Sequence, residues 1–143
     1  MSWKSLVVLV AALALSAVAS AQDKGEIFVG IWSNPQTNQL IVNMPAPDGY
    51  TSIRVNIAAD NKNSAENHPV AFDGKPYPTT GGDQRKISYK WIDANTVRRT
   101  QDRNGMLTVD TESVSKDGKT LTITPATGAP RVFQKLFNVQ PAH

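Results

Sequence analysis

The chain offers few side chains of the kind that do chemistry, and their spacing is poor for it. Its only histidines are His68, which precedes a proline, and His143, the last residue. Two isolated histidines do not form the closely spaced ligand pairs of a zinc site. There is no G-x-S-x-G nucleophile turn, no H-E-x-x-H and no glycine-rich phosphate loop, and Gly81-Gly82 reads simply as the end of a loop. Asp48, Asp60, Asp73, Asp83, Asp93, Asp102 and Asp117 mostly fall in turn contexts, where a carboxylate caps backbone N–H groups. The expectation is a non-enzyme with no catalytic residue, no metal and no cofactor.

The aromatic residues carry more information. Trp32, Tyr89, Trp91, Phe133 and Phe137 read as core before ligand wall. Tyr77 lies between Pro76 and Pro78; in so stiff a segment it serves either as a fixed lid over an opening or as an anchor for its own loop.

Strands must position these groups. Apolar residues alternate with polar ones at Ile53, Val55 and Ile57, at Ile87, Tyr89 and Trp91, at Leu107 and Val109, and at Leu121 and Ile123. Period-2 patterning of this kind marks half-buried strands, and these residues are expected to face inward. Asp102-Arg103-Asn104-Gly105 and Ser115-Lys116-Asp117-Gly118 supply hairpin turns, and Asp93-Ala94-Asn95 a third. The back half therefore reads as a meander over about 86–92, 96–102, 106–115, 119–125 and 130–137. In front, Glu26–Trp32, Gly49–Ala59 and Pro69–Asp73 read as strands, and Leu40–Met44 as a short strand or an irregular cover. The polar tract Asp60–Asn67 reads as a loop. About seven or eight strands in up-and-down order predict an all-β fold: a small antiparallel barrel or strongly curved sheet, with a two-sheet sandwich as runner-up.

Lys4, the apolar run Leu6–Leu15 and Ala19-Ser20-Ala21 have the three-part form of a secretory signal, which places cleavage after Ala21. Residues 22–143 then form one domain without cysteine, exported to the periplasm or secreted, and with no membrane span. The basic residues Arg85, Lys86, Lys90, Arg98, Arg99 and Arg103 gather mid-chain. They read as a solvated strand face before an acidic surface partner, and no nucleic-acid partner is expected.

Four stretches resemble small exported bacterial proteins, largely uncharacterised, with a lipocalin-like (calycin-type) β-barrel. These are Gly30-Ile31-Trp32, the run Phe72-Asp73-Gly74-Lys75-Pro76-Tyr77-Pro78-Thr79-Thr80-Gly81, the turn Ile92–Val97 and the segment Ser115–Thr124. The resemblance implies a barrel with Gly30 and Trp32 as its structural motif and with Arg131 or Lys135 of the last strand covering Trp32. The chain departs from true lipocalins in having no T-D-Y; the nearest text is Val109-Asp110-Thr111. Two functional readings follow. One is a binding module holding a small apolar or amphipathic ligand, with Tyr77, Tyr89, Trp91, Thr111 and Ser113 as its candidate contacts. The other is a self-filled barrel that touches an envelope partner through its loops or its basic face.

Overall fold

A computed structural model describes residues 24–60 and 62–139. The expected signal segment 1–21 and its cleavage site lie outside the described residues. After a short 3-10 helix, Glu26–Phe28, come ten antiparallel strands: β1 (Gly30–Asn34), β2 (Gln39–Ala46), β3 (Gly49–Asn56), β4 (Ser64–Val70), β5 (Tyr77–Pro78), β6 (Lys86–Asp93), β7 (Thr96–Arg103), β8 (Met106–Val114), β9 (Thr120–Pro125) and β10 (Arg131–Phe137). They form one sheet in the order β4-β3-β2-β1-β10-β9-β8-β7-β6-β5. Pairing of the first strand with the last curls the meander into a nearly closed barrel. The remaining seam, between β4 and the end of β5, is bridged by the reciprocal bonds Asn67 N to Thr80 O, 2.9 Å, and Thr80 N to Asn67 O, 2.8 Å.

The back-half strands fall within a residue or two of the expected ranges. Their turns explain why: Asn104 (φ 53°) and Gly105 (φ 85°) both take the left-handed conformation of a two-residue hairpin turn. The front half differs. Leu40–Met44 belongs to a full eight-residue strand, and Glu26–Phe28 is helical rather than extended. Strand β4 begins at Ser64, inside the tract expected to be a loop, and ends at Val70. The strand is polar because its inward residues include Glu66 and His68, which meet polar partners inside the barrel, so hydropathy gave no sign of it. The count rises accordingly from seven or eight to ten.

Two strands also present the opposite face to the one expected. On β3 the residues turned inward are Tyr50, Ser52 and Arg54, while Ile53 and Val55 are outward and half-buried and Ile57 is exposed beyond the strand end. On β8 they are Asp110, Glu112 and Val114, which leaves Leu107 and Val109 exposed on the outer surface. Alternation identifies a strand but not its buried side, and an error of one residue flips every side chain. Here the charged side faces in. Phe137, expected in the core, is 67 % exposed at the end of β10.

One end of the barrel is plugged. Phe28, Tyr50, Phe72 and Trp91 pack there, with the Phe72 and Trp91 rings stacked 4.8 Å apart. Trp32 is fully buried; its Nε1 donates to Phe28 O at 2.9 Å, and Asn43 Nδ2 donates to the same carbonyl at 2.8 Å. Of the two basic residues able to cover Trp32, Lys135 does so, with Nζ 4.7 Å from the ring centroid. Gly25 lets the plug form: its φ is 66°, and a Cβ there would collide with the Phe72 ring. Above the plug lies an apolar band of Ile41, Ile87, Val97, Leu121, Ile123 and Phe133. Among the described residues no helix is long and apolar enough to cross a membrane.

Candidate functional site

The other end of the barrel is open and polar. Side chains of alternate residues bring arginines from three strands and one loop to a single mouth: Arg54 from β3, Arg85 ahead of β6, Arg99 and Arg103 from β7, and Arg131 from β10. With Gln39, Asn56, Ser64, Glu66, Asp83, Gln101, Ile41 and Phe133 they line a cavity of about 420 Å³ that opens to solvent.

Four of these five guanidiniums are neutralised. Arg85 holds Glu66 bidentately, at 2.6 and 2.5 Å, and donates from Nε to Gln101 Oε1 at 2.6 Å. Arg99 grips Asp110 through two bonds of 2.8 and 2.5 Å, and its Nη1 lies 3.2 Å from Glu112 Oε1. Arg54 Nη2 donates to the same Glu112 oxygen at 2.7 Å, and Arg103 meets Asp83 at 3.0 Å on the rim. Bidentate arginine–carboxylate pairs combine charge with fixed geometry. Arg131 differs: among the described residues no carboxylate lies within ion-pairing distance, and its one hydrogen bond is from Nη1 to Gln39 Oε1 at 3.2 Å.

Beneath the cavity the ion pairs continue as a buried layer. Burial disfavours ionisation of Glu112, yet Arg54 and Arg99 outweigh it and hold the carboxyl below the usual range. Tyr89 joins the layer: its hydroxyl receives a bond from Arg54 at 3.3 Å and lies 3.0 Å from His68 Nε2. Burial, reinforced by Glu112, pushes Tyr89 up to about 12. For His68, burial and then the nearby Arg54, Arg99 and Arg85 lower the pKa to about 2, so the imidazole is neutral. Arg131 is lowered by burial and by repulsion from Arg99 and Arg54. It is the cation of the mouth that its own surroundings leave unsatisfied.

The five expected contact residues do not form one site. Tyr89 and Trp91 face inward on β6 and both touch Phe72, whose ring lies 6.3 Å from Tyr89 and 4.8 Å from Trp91. They belong to the plug and to the layer above it. Thr111 and Ser113 alternate with Asp110, Glu112 and Val114 and so stand half-buried on the outer side of β8. Their inward orientation is corrected for the same reason as that of Leu107 and Val109. Tyr77 donates to Asp73 Oδ2 at 2.6 Å and shares a surface depression with Lys24, Pro47, Asp48 and Ala71, away from the residues that line the mouth. The mid-chain basic cluster divides by face: Arg85, Arg99 and Arg103 enter the mouth, while Lys86, Lys90 and Arg98 remain exposed.

The sequence held a usable sign of the arginine mouth. A two-residue turn at Asn104-Gly105 fixes Arg103 opposite Met106 and, counting back, Arg99 opposite Asp110, the observed register. Opposite charges facing each other across a hairpin mark a shared face. Nothing comparable announces Arg54, Glu112 or Arg131, whose partners come from strands far away in the chain. Comparison with protein families, with curated proteins and with solved structures finds no match to this chain, so the case for a function rests on the mouth itself.

Proposed function

We propose that this chain is an exported, non-enzymatic binding module, a lipocalin-like barrel that takes a small ligand at its arginine-lined mouth. One observation carries the reading: a solvent-open cavity of about 420 Å³, within the size range of small-molecule sites, whose wall includes a guanidinium with no carboxylate at ion-pairing distance among the described residues. The stretches Gly30–Trp32, Phe72–Gly81, Ile92–Val97 and Ser115–Thr124 support the lipocalin-like assignment, and the three-part N-terminal segment supports export. Because the apolar end is packed with the chain's own aromatic rings, the space that favours a guest is the polar one. The carboxylates of the mouth are engaged by arginines, which favours recognition over acid–base chemistry.

A second reading, an envelope protein that acts through its outer surface, is favoured by the exposed Met106, Leu107 and Val109 on β8. Native mass spectrometry of the protein purified from its own source separates the two. A retained small molecule, released on unfolding, supports the binding module; a bare chain that co-purifies with a stoichiometric protein partner refutes it. Intact-mass measurement of the exported product tests cleavage after Ala21.

A further inference from the structure

We infer that the mouth recognises a small hydroxylated monocarboxylic acid of the sugar-acid type, with Arg131 as the anchor for its carboxylate; this rests on the binding reading above. Charge is the first argument. Five guanidiniums, Arg54, Arg85, Arg99, Arg103 and Arg131, meet four carboxylates, Glu66, Asp83, Asp110 and Glu112, which leaves one positive charge. A monoanion cancels it. A dianion such as a phosphate monoester would reverse the sign of a mouth that already holds four carboxylates.

Geometry is the second. Arg131 uses Nη1 on Gln39, and among the described residues its Nε and Nη2 have no partner. Those two N–H groups form a flat, parallel donor edge that matches a carboxylate. The guanidinium is half-buried and repelled by Arg99 and Arg54, so an anion delivered there relieves an existing strain in charge.

The wall is the third. Gln39, Asn56, Ser64 and Gln101 line the same cavity as Arg131, amide and hydroxyl side chains able to exchange bonds with ligand hydroxyls. Ile41 and Phe133 give one apolar patch for the face of a ring. A long alkyl tail directed inward would meet the Arg54–Glu112–Arg99 layer, whose disruption would leave buried charges unpaired.

The test is an NMR titration of the ¹⁵N-labelled protein with galacturonate, galactose, decanoate and inorganic phosphate, repeated on Arg131→Gln. The variant is first confirmed as folded by its unchanged spectrum outside the mouth. Galacturonate is expected to shift the amides of Gln39, Arg54, Gln101 and Arg131 saturably. Galactose should bind at least about tenfold more weakly, and Arg131→Gln should cost galacturonate about the same factor, as befits one charge-assisted contact. Equal binding of galactose, or full affinity in the variant, overturns the role of Arg131 while leaving the mouth as a binding site. Preferential binding of decanoate overturns the polar ligand class, and displacement of galacturonate by phosphate at a pH where phosphate is a dianion overturns the monoanion. If no compound moves the mouth amides, both the inference and the binding reading fall.

Discussion

Replacing His68 with Gln should make the stability of the protein markedly less sensitive to acid. His68 is fully buried, stacked at 5.8 Å against Tyr89 and bonded to its hydroxyl. Burial and three neighbouring arginines hold it neutral in the folded state, with a pKa of about 2 against 6.5 when unfolded. Below pH 6.5 the unfolded chain therefore takes up a proton that the folded chain refuses. Stability falls as pH falls through this window, by about 1.4 kcal/mol per pH unit once the unfolded imidazole is fully charged. Between about pH 7.5 and about pH 5 the loss integrates to about 2 kcal/mol. That range stays above the usual carboxyl range, where protonation of Glu112, itself held low by Arg54 and Arg99, adds a further loss. Gln is neutral at every pH and keeps an amide for Tyr89. Urea denaturation of both proteins across the range, with Trp fluorescence as readout, gives the difference directly; His143 is common to both and cancels. The wild type should lose about 2 kcal/mol more than the variant on acidification. A difference between the two proteins that is the same at both pH values would refute a buried neutral imidazole.

Trp32→Ala should cost about 3–5 kcal/mol, because it empties the plug and orphans one bond to Phe28 O, and a shift in urea midpoint measures it. Glu112→Gln should destabilise by about 3–5 kcal/mol by leaving Arg54 and Arg99 facing each other without their shared carboxylate, whereas Leu107→Ser on the outer surface should change stability by less than about 0.5 kcal/mol. Arg85→Met should loosen the seam: the amides of Asn67 and Thr80, held by a single bridge beside the Arg85–Glu66 clasp, are expected to exchange hydrogen faster, with β7–β8 amides unchanged.

What the sequence revealed, and what it hid, follows from which contacts are local. The meander from β6 to β10 is encoded in short turns whose residues demand a particular backbone, so strand limits are legible there to within a residue or two. Trp32 and the inward run Ile87, Tyr89 and Trp91 were legible because these side chains are themselves apolar or aromatic and alternate with polar ones. Strands β3 and β8 were misread because their inner faces carry Arg54, Asp110 and Glu112, and a buried charge looks like a surface residue until its partner is known. Those partners lie on other strands, 58 residues apart for Arg54 and Glu112. Arg131 and Gln39 are 92 apart. The candidate site was therefore the least legible part of the fold, since, apart from the Arg99–Asp110 pair across the β7–β8 hairpin, the bonds that define it join residues well separated in the chain.

The pairing of β1 with β10 has a consequence for the order of assembly. Ile31 pairs with Val42 on one side, but on its other side its partner is Phe137, almost at the other end of the domain. Closing a loop of that length costs about 4 kcal/mol of chain entropy, which nothing repays until the ring is complete. A chain emerging from a ribosome or a membrane channel can fold its hairpins one by one, but β1 keeps an open edge until the last strand arrives. Arg131 lies on that last strand, so the mouth acquires this guanidinium only at the moment of closure. Folding rate and site formation should thus share one slow step.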